Sequence, residues 1–221
     1  MDFQYQIKRS RRKTLGLYVK DGQVEVRAPM RTPEKTIHQW VGDKSQWVAK
    51  QLVQQQRQQQ EKPRLEHKGF ILFLGEHRPL ELIEGKPAIY EKDRQLIIAR
   101  TRNTCIKTLL EKWLRCEAES YLSQRTLELA EEMGESARLR DIRFRKTRSK
   151  WGHCTAERII QYNWYIIMAP PAVIDYLIIH ELSHLQQMNH SPAFWQRVEH
   201  FCPDYRRHKA WLKDNGHKLW L

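Results

Sequence analysis

Cysteine is scarce in this chain of 221 residues, which has four cysteines and no C-x-x-C pair. Zinc ribbons, thioredoxin-like redox motifs and disulfide scaffolds are therefore disfavoured, because each needs closely spaced or numerous cysteines. We expect the thiols to be reduced, as in a cytoplasmic protein. The four residues are Cys105, Cys116, Cys154 and Cys202.

Long apolar runs are also missing. No uninterrupted stretch approaches the roughly 20 residues of a membrane helix, so we expect no membrane partner. The first residues, MDFQYQIKRSRRK, contain no apolar segment of the kind that a secretory signal needs. Acidic residues are in deficit, since 39 Lys and Arg against 26 Asp and Glu leave a net charge of +13. This charge excludes an acidic solvating protein and favours an anionic partner, such as a nucleotide or DNA.

The residue pattern predicts an α+β protein with two domains. In residues 1–100, short runs alternate between apolar and polar residues, and Asp21-Gly22 is a typical hairpin turn. One helical stretch follows Pro33 and continues into a Gln-rich segment. The first domain, residues 1–100, is therefore predicted to be an antiparallel β-rich half with one helix.

Residues 101–221 predict a second domain of different architecture. Apolar residues at helical spacing predict a long helix that ends at Gly134. Alternating residues predict two strands, over 139–148 and 158–168. Pro170-Pro171 then opens a helix that should extend to about Met188. Shorter helices are expected to begin near Ser191 and Pro203.

The helix after Pro171 carries His180-Glu181-Leu182-Ser183-His184, an H-E-x-x-H motif. Residues four apart share one helix face, so both imidazoles can bind one zinc ion. Glu181 projects beside the open ligand position, where it can take a proton from a water that zinc acidifies to a pKa of roughly 7. Zinc needs a third protein ligand, and His190 follows in a turn just past the helix. The motif therefore predicts a zinc-dependent hydrolase.

The run HELSHLQQMNHSPAFW, preceded by SKWGHCTAERIIQYNWYIIMAPPAVIDYLIIH, resembles the YgjP-like family of predicted zinc metallopeptidases. It is similar, more distantly, to SprT-like proteases. The resemblance is strongest over residues 140–215 and weaker through the basic N-terminal half. It implies a zincin-like metallopeptidase domain with a backing helix, a small sheet and an active-site helix, acting on a peptide or protein substrate. The residues it implies are Glu181 as catalytic base and His180, His184 and His190 as ligands of Zn²⁺.

Two features depart from related patterns. The family usually has a small residue between Trp-Gly and Cys, where this chain has His153, which is either a polar loop residue or an additional electrophile or ligand. The spacing of the three histidines also matches metzincins. However, Gln187 stands where those enzymes place glycine, and no methionine follows Met188 to form a Met-turn.

Basic residues cluster in two segments, and the second covers residues 138–150. This basic strip leads into the strand that should border the zinc site, so a substrate there would experience a positive field. The alternative is a solvated face that only aids solubility. The candidate substrate-binding residues in the strip are Arg143, Arg145, Lys146, Arg148 and Lys150.

Three enzymatic functions compete at this point, and the sequence favours the first. The first is a zinc metallopeptidase in which the strand over 158–168 pairs with an extended substrate. The second is a metal-dependent nucleotide (pyro)phosphohydrolase whose phosphates bind the basic strip. The third, suggested by the SprT-like resemblance, is a DNA-associated protease with phosphate-directed contacts. A structural zinc module is disfavoured because such a site needs no base at Glu181.

Overall fold

The computed structural model describes residues 3–20 and 22–221. These residues form six α-helices and three small mixed sheets, which confirms the predicted α+β class. The chain divides into two compact units, Met1–Glu61 and Lys62–Leu221. Within the described residues, no helix has both the length and the apolar character needed to cross a membrane.

The first unit contains a three-stranded sheet and two helices. They are β1 Tyr5–Ser10, β2 Gly16–Lys20, β3 Gln23–Pro29, α1 Glu34–Asp43 and α2 Ser45–Gln60. Strand β3 lies in the middle, parallel to β1 and antiparallel to β2. Alternate residues of β3 are buried, and Val26 and Ala28 pack against Ile37 and Val41 of α1. The core of this unit is therefore the contact between one sheet face and one helix.

Two predictions for this unit can be compared with the structure, namely a turn at Asp21-Gly22 and a single helix. Of the predicted Asp21-Gly22 turn, Asp21 lies outside the described residues, while Gly22 has a φ of +75°, which favours glycine. The single predicted helix is wrong, because Lys44 leaves helical geometry between α1 and α2, with φ −99° and ψ 4°. Gly42 and Asp43, which have low helix propensity, come directly before this break.

The second unit begins with a four-stranded sheet. Its strands are β4 Phe70–Phe73, β5 Glu76–Glu84, β6 Ala88–Lys92 and β7 Gln95–Arg100. The spatial order is β4-β5-β7-β6, and β5 runs parallel to β7. The antiparallel sheet expected for residues 1–100 is therefore wrong in both units. Strand β6 pairs with one edge of β7, and β5 pairs with the opposite edge of β7.

This sheet shares one core with the C-terminal helices. The tip of its first hairpin docks on the chain just before Pro170, where the Leu74 amide donates to the Ile167 carbonyl over 2.9 Å. Gly75, with a φ of +78°, lies against Pro170 so closely that a Cβ there would be 2.8 Å from the proline Cα. Residue 100, where a domain boundary was predicted, lies within the second compact unit, and the two-domain division itself stays a prediction.

The rest of the second unit contains one long helix, a small three-stranded sheet and three shorter helices. Its elements are α3 Ile106–Glu132, β8 Asp141–Arg145, β9 Gly152–Cys154, β10 Ile159–Asn163, α4 Pro171–Ser183, α5 Pro192–Phe201 and α6 Tyr205–Asn215. Helix α3 buries residues spaced four apart, including Leu110, Leu114, Ala118 and Leu122, and it packs on α4.

The small sheet differs from its prediction in a way that matters for the site. The strand expected over 158–168 ends at Asn163, whose side chain accepts a hydrogen bond from the Tyr165 amide and starts a 3-10 helix over Trp164–Met168. The strand order is β8-β10-β9, so β10 is paired on both edges and is not available to an extended substrate. The short strand β9, which the sequence pattern did not predict, forms one edge of this sheet, and β8 forms the other.

Candidate active site

Helix α4 places the first two histidines on one side. It begins at Pro171, whose fixed φ suits a first helical turn, and most of its residues are buried. The residues of the H-E-x-x-H motif come at its end, where His180 and Glu181 occupy the last turn and His184 is the C-cap residue. The ring centroids of His180 and His184 are 5.0 Å apart, as expected for residues one helical turn apart.

The third histidine reaches the same place from the segment between two helices. Ser191 caps α5, accepting a hydrogen bond from the Phe194 amide over 3.3 Å, and His190 comes directly before this cap. Its Nε2 atom lies 3.1 Å from Nε2 of His180. The predicted three-histidine cluster is therefore present, with one ring nitrogen from each residue within 4.8 Å of the others.

The geometry of this cluster fits a metal ion. Two ligands on a tetrahedral zinc ion with bonds of ~2.05 Å are separated by about 3.3 Å, which is close to the separation of the His180 and His190 nitrogens. Nδ1 of His184 is 2.9 Å from the Gln187 carbonyl, so it can donate there and leave Nε2 free as a ligand. Nδ1 of His180 is buried and has no hydrogen-bond partner among the described residues. Three imidazoles leave one coordination position open, as in catalytic sites.

Burial favours the neutral form of His180 and His184, which is the form that metals bind. Burial, together with the nearby His184, His190 and Lys209, lowers the pKa of His180 to about 3. Burial likewise lowers the pKa of His184. Metal binding therefore need not displace a proton from His180 at neutral pH.

Glu181 lies beside the cluster with its side chain almost fully buried. Burial raises the pKa of Glu181 to about 8, against the opposing effects of the Lys150 charge and a hydrogen bond with the Cys154 backbone. Gly152 of β9 packs directly on this side chain, because a Cβ at that position would lie 2.7 Å from both Cγ and Cδ of Glu181. The absence of a side chain at residue 152 is therefore what makes room for the carboxylate.

A second buried carboxylate holds the segment that follows α4. Glu135, just past the end of α3, is fully buried. It accepts hydrogen bonds from Gln186 and Arg197, and from Arg138 over 3.2 Å. Arg197 also donates to the Met133 carbonyl over 3.0 Å. We call these contacts the Glu135 clamp, and they join α3, α5 and the segment between His184 and His190.

The three histidines and Glu181 open into a cleft of about 310 Å³. The exposed His153 lines this cleft from β9, which places it in reach of a bound substrate. Burial raises the pKa of the neighbouring Cys154 thiol to about 12, so Cys154 is an unreactive wall residue. The remaining lining residues are Lys150, Gly152 and Met188.

A family model described as YgjP-like, metallopeptidase domain, matches residues 13–215. The chain belongs to the YgjP-like metallopeptidase family. No curated protein and no solved structure matched the chain. Membership of a metallopeptidase family implies a metal cofactor, and the three histidines are residues that can bind it.

The basic strip of this YgjP-like chain is only partly directed to the cleft. Lys150 lines the cleft, and Arg145 joins it in an adjacent pocket of about 120 Å³. Arg143 and Lys146 form ion pairs of 2.8 Å with nearby carboxylates, and Arg148 is exposed. The structure therefore brings together two of the five strip residues at the site. A role for any of them in substrate binding stays a prediction.

Other contributors to this YgjP-like site escaped the sequence pattern. Phe194 stacks on His184 with ring centroids 4.5 Å apart, and Trp195 stacks on His190 at 5.6 Å. The sequence gives little indication that these two residues belong to the site, because Phe and Trp at the start of a helix are also typical of an ordinary hydrophobic core. Gly152 carries no helical or alternating pattern, and only its contact with Glu181 reveals its importance.

Proposed function

We propose that this YgjP-like chain is a zinc-dependent peptidase with a zincin-like arrangement of helix α3, the sheet β8-β10-β9 and helix α4. The observation that carries the proposal is the buried Glu181 carboxylate beside three converging imidazoles. Ligand identity supports zinc, since neutral imidazole nitrogens suit this ion and one position remains open. A zinc site with only a structural role would need no buried carboxylate beside the three imidazoles.

In the proposed mechanism, His180, His184 and His190 hold the ion. When bound, zinc supplies Lewis acidity toward water and toward the carbonyl oxygen of the scissile bond. Glu181 takes a proton from the attacking water and then delivers it to the leaving amine. Burial raises the pKa of Glu181 and so favours the protonated form that donates to the leaving amine, whereas the charge of a bound Zn²⁺ would favour the carboxylate that accepts the first proton.

Strand β9 is the proposed docking edge for an extended substrate. It pairs only with β10 in its sheet, and it runs past Glu181 and the cleft. Main-chain pairing along a sheet edge gives affinity that depends little on side chains. His153, which projects from this edge into the cleft, is placed to contact the substrate near the scissile bond.

A second candidate is a metal-dependent nucleotide phosphohydrolase. The observation that favours it is the pair of cations, Arg145 and Lys150, beside the cleft. Such cations can bind the phosphates of a substrate whose phosphorus is attacked in place of a carbonyl carbon. A DNA-associated protease is a further version of the peptidase proposal. The cytoplasmic location expected from cysteine usage stays a prediction.

One side-by-side assay tests these proposals. Zinc-loaded protein is incubated with an unfolded protein and, separately, with a panel of nucleoside triphosphates, and new peptide ends and released phosphate are measured. The peptidase proposal expects peptide cleavage that disappears in Glu181→Gln, while zinc content is unchanged. Glu84→Gln, a change at an exposed carboxylate, is the matched control and should keep full activity. Phosphate release without peptide cleavage would overturn the peptidase proposal.

The ligand assignment has its own test. His190→Ala should retain less zinc after dialysis, because two imidazoles bind the ion more weakly than three. His200→Ala removes an exposed histidine from the neighbouring helix and should retain zinc as the wild type does. Equal zinc content in the two variants would remove His190 from the ligand set. Measuring DNA affinity at increasing salt concentration tests the DNA-associated version of the proposal, which requires an affinity that falls steeply as salt rises.

A further inference from the structure

A second, larger groove adjoins the three-histidine cluster. Its volume is about 740 Å³, and none of its cations belongs to the predicted basic strip. Its walls combine two aromatic rings with one face of helix α6. The lining residues are Trp195, Tyr205, Arg206, Lys209, Ala210 and Lys213.

The α6 side of this groove carries three cations on one helix face. Arg206, Lys209 and Lys213 follow the i, i+3, i+7 spacing of a single face, and Ala210 leaves a low point between them. Arg206 pairs with exposed Glu199 over 2.7 Å. For Lys209 and Lys213, no carboxylate of the described residues lies within ion-pairing distance. The groove therefore has positive charge that the protein itself does not neutralise.

Trp195 connects this groove to the candidate metal ligands. The indole stacks on His190 on the cluster side and on Tyr205 at 5.2 Å. Lys209 places its ammonium 4.3 Å from the centroid of the same indole. A substrate that extends from the cluster across Trp195 would therefore meet Lys209 first and Lys213 one turn later.

We infer that this groove binds an acidic segment of the polypeptide substrate, with Asp or Glu at alternate positions. The inference rests on the proposed peptidase function. Side chains one helical turn apart are separated by about 5–6 Å, and residues i and i+2 of an extended chain by about 6.6 Å. Lys209 and Lys213 therefore match two acidic side chains on the same face of a bound strand.

The distance along α6 limits the length of the recognised segment. Arg206 and Lys213 are seven residues apart, or about 10 Å along the helix axis. An extended peptide covers that distance in about three residues. Single-stranded nucleic acid is the other anionic polymer to consider, and it binds by stacking bases on free aromatic faces. Trp195 is a poor platform for a base, since His190, Tyr205 and Lys209 already contact it.

The test compares matched peptides that carry Glu-x-Glu, Gln-x-Gln or Lys-x-Lys at the same positions on one side of the scissile bond. Zinc-loaded wild type should cleave the Glu-x-Glu peptide at low salt with a KM about tenfold below that of the Gln-x-Gln peptide, from two exposed ion pairs. The double variant Lys209→Glu/Lys213→Glu should lose this preference and favour Lys-x-Lys. The control Lys86→Glu/Lys112→Glu makes the same change in net charge at exposed lysines elsewhere and should keep the wild-type preference.

A binding measurement separates failure of this inference from failure of the peptidase proposal. Fluorescence anisotropy records binding of each labelled peptide to zinc-loaded Glu181→Gln protein, with and without the two α6 substitutions. Equal affinity for the Glu-x-Glu and Gln-x-Gln peptides would overturn the groove assignment even if wild type cleaves both. Selective binding of the Glu-x-Glu peptide without cleavage by wild type would overturn only the peptidase proposal. Tighter binding of a single-stranded oligonucleotide, lost in the α6 double variant, would also overturn the assignment to a polypeptide.

Discussion

Gly152→Ala tests the proposed role of Glu181 without changing Glu181 itself. An alanine Cβ at this position would lie 2.7 Å from Cγ and Cδ of Glu181. Carbon atoms in ordinary contact are about 3.5–4.0 Å apart, so the carboxylate has to move by about 1 Å. Gly152 has no positive φ, so the backbone itself accepts alanine without strain. The perturbation is therefore confined to the contact with the proposed base.

We expect Gly152→Ala to lower kcat strongly and to lower the free energy of unfolding much less. A displacement of about 1 Å at a reacting group can cost roughly 100-fold in rate, so we expect kcat to fall by about that factor. Overpacking of this kind typically lowers the free energy of unfolding by about 1–3 kcal/mol, which lowers Tm by about 2–12 °C for a protein of this size. The three atoms nearest to the new methyl group all belong to Glu181 and none to a histidine, so we expect zinc content to equal that of the wild type.

The assay measures peptide cleavage, zinc content and thermal unfolding on the same preparations. Gly85→Ala is the matched control, because its Cβ would meet only the Ala99 side chain at 3.6 Å. It should keep wild-type activity. Full activity of folded, zinc-loaded Gly152→Ala would refute the argument that β9 fixes a catalytic Glu181. If zinc content fell together with activity, we would conclude that the substitution at residue 152 disturbs the metal ligands instead.

Three further predictions concern buried groups. Burial raises the pKa of Glu181 from 4.5 to about 8. In chelator-treated protein the folded state therefore keeps a proton on Glu181 that the unfolded state lacks, and the free energy of unfolding should fall as pH rises from about 6.5 to about 8. Below about pH 6.5 the lowered pKa values of His180 and His184 have the opposite effect. Denaturant titrations should show a flatter fall in Glu181→Gln, and an identical pH slope would assign the effect to another group. Ellman's reagent should modify the two exposed thiols of the folded protein but leave buried Cys154 and Cys202, whose pKa values burial raises, unmodified until unfolding. Four reactive thiols in the folded protein would contradict this burial. Glu135→Ala should lower the free energy of unfolding by about 3–5 kcal/mol, because it leaves Arg197 without its buried partner. A loss below 1 kcal/mol in denaturant titrations would mean that water replaces the carboxylate.

The histidine cluster was predictable because its first two members depend on local geometry. Residues four apart on a helix must share a face, so the positions of His180 and His184 follow from the helix alone. His190 required only a turn that brings the chain back over a short distance. Burial of the helix was equally readable, since apolar residues occupy nearly every face of α4.

Features that depend on long-range pairing were not predictable in the same way. Alternation predicted strands over 139–148 and 158–168, but it does not specify which strand pairs with which. The central position of β10 and the edge position of β9 follow from the sheet order, which is set by the whole second unit. The groove beside Trp195 depends on how α5 and α6 pack, so spacing along the chain identifies the face of α6 but not its neighbour.

The Glu135 clamp has a consequence for how the protein acquires and loses its metal. Gln186 and Arg197 fasten the chain on both sides of His190 to the end of α3, through contacts that include no metal ligand. The polypeptide itself thus holds the three histidines near the positions that they would occupy around a metal ion. Little of the free energy of metal binding is then needed to order the loop. Chelation should then empty the site without unfolding the domain, and added zinc should refill it without a folding step. Metal supply, rather than protein synthesis, would then set how much of the proposed peptidase is active at a given moment.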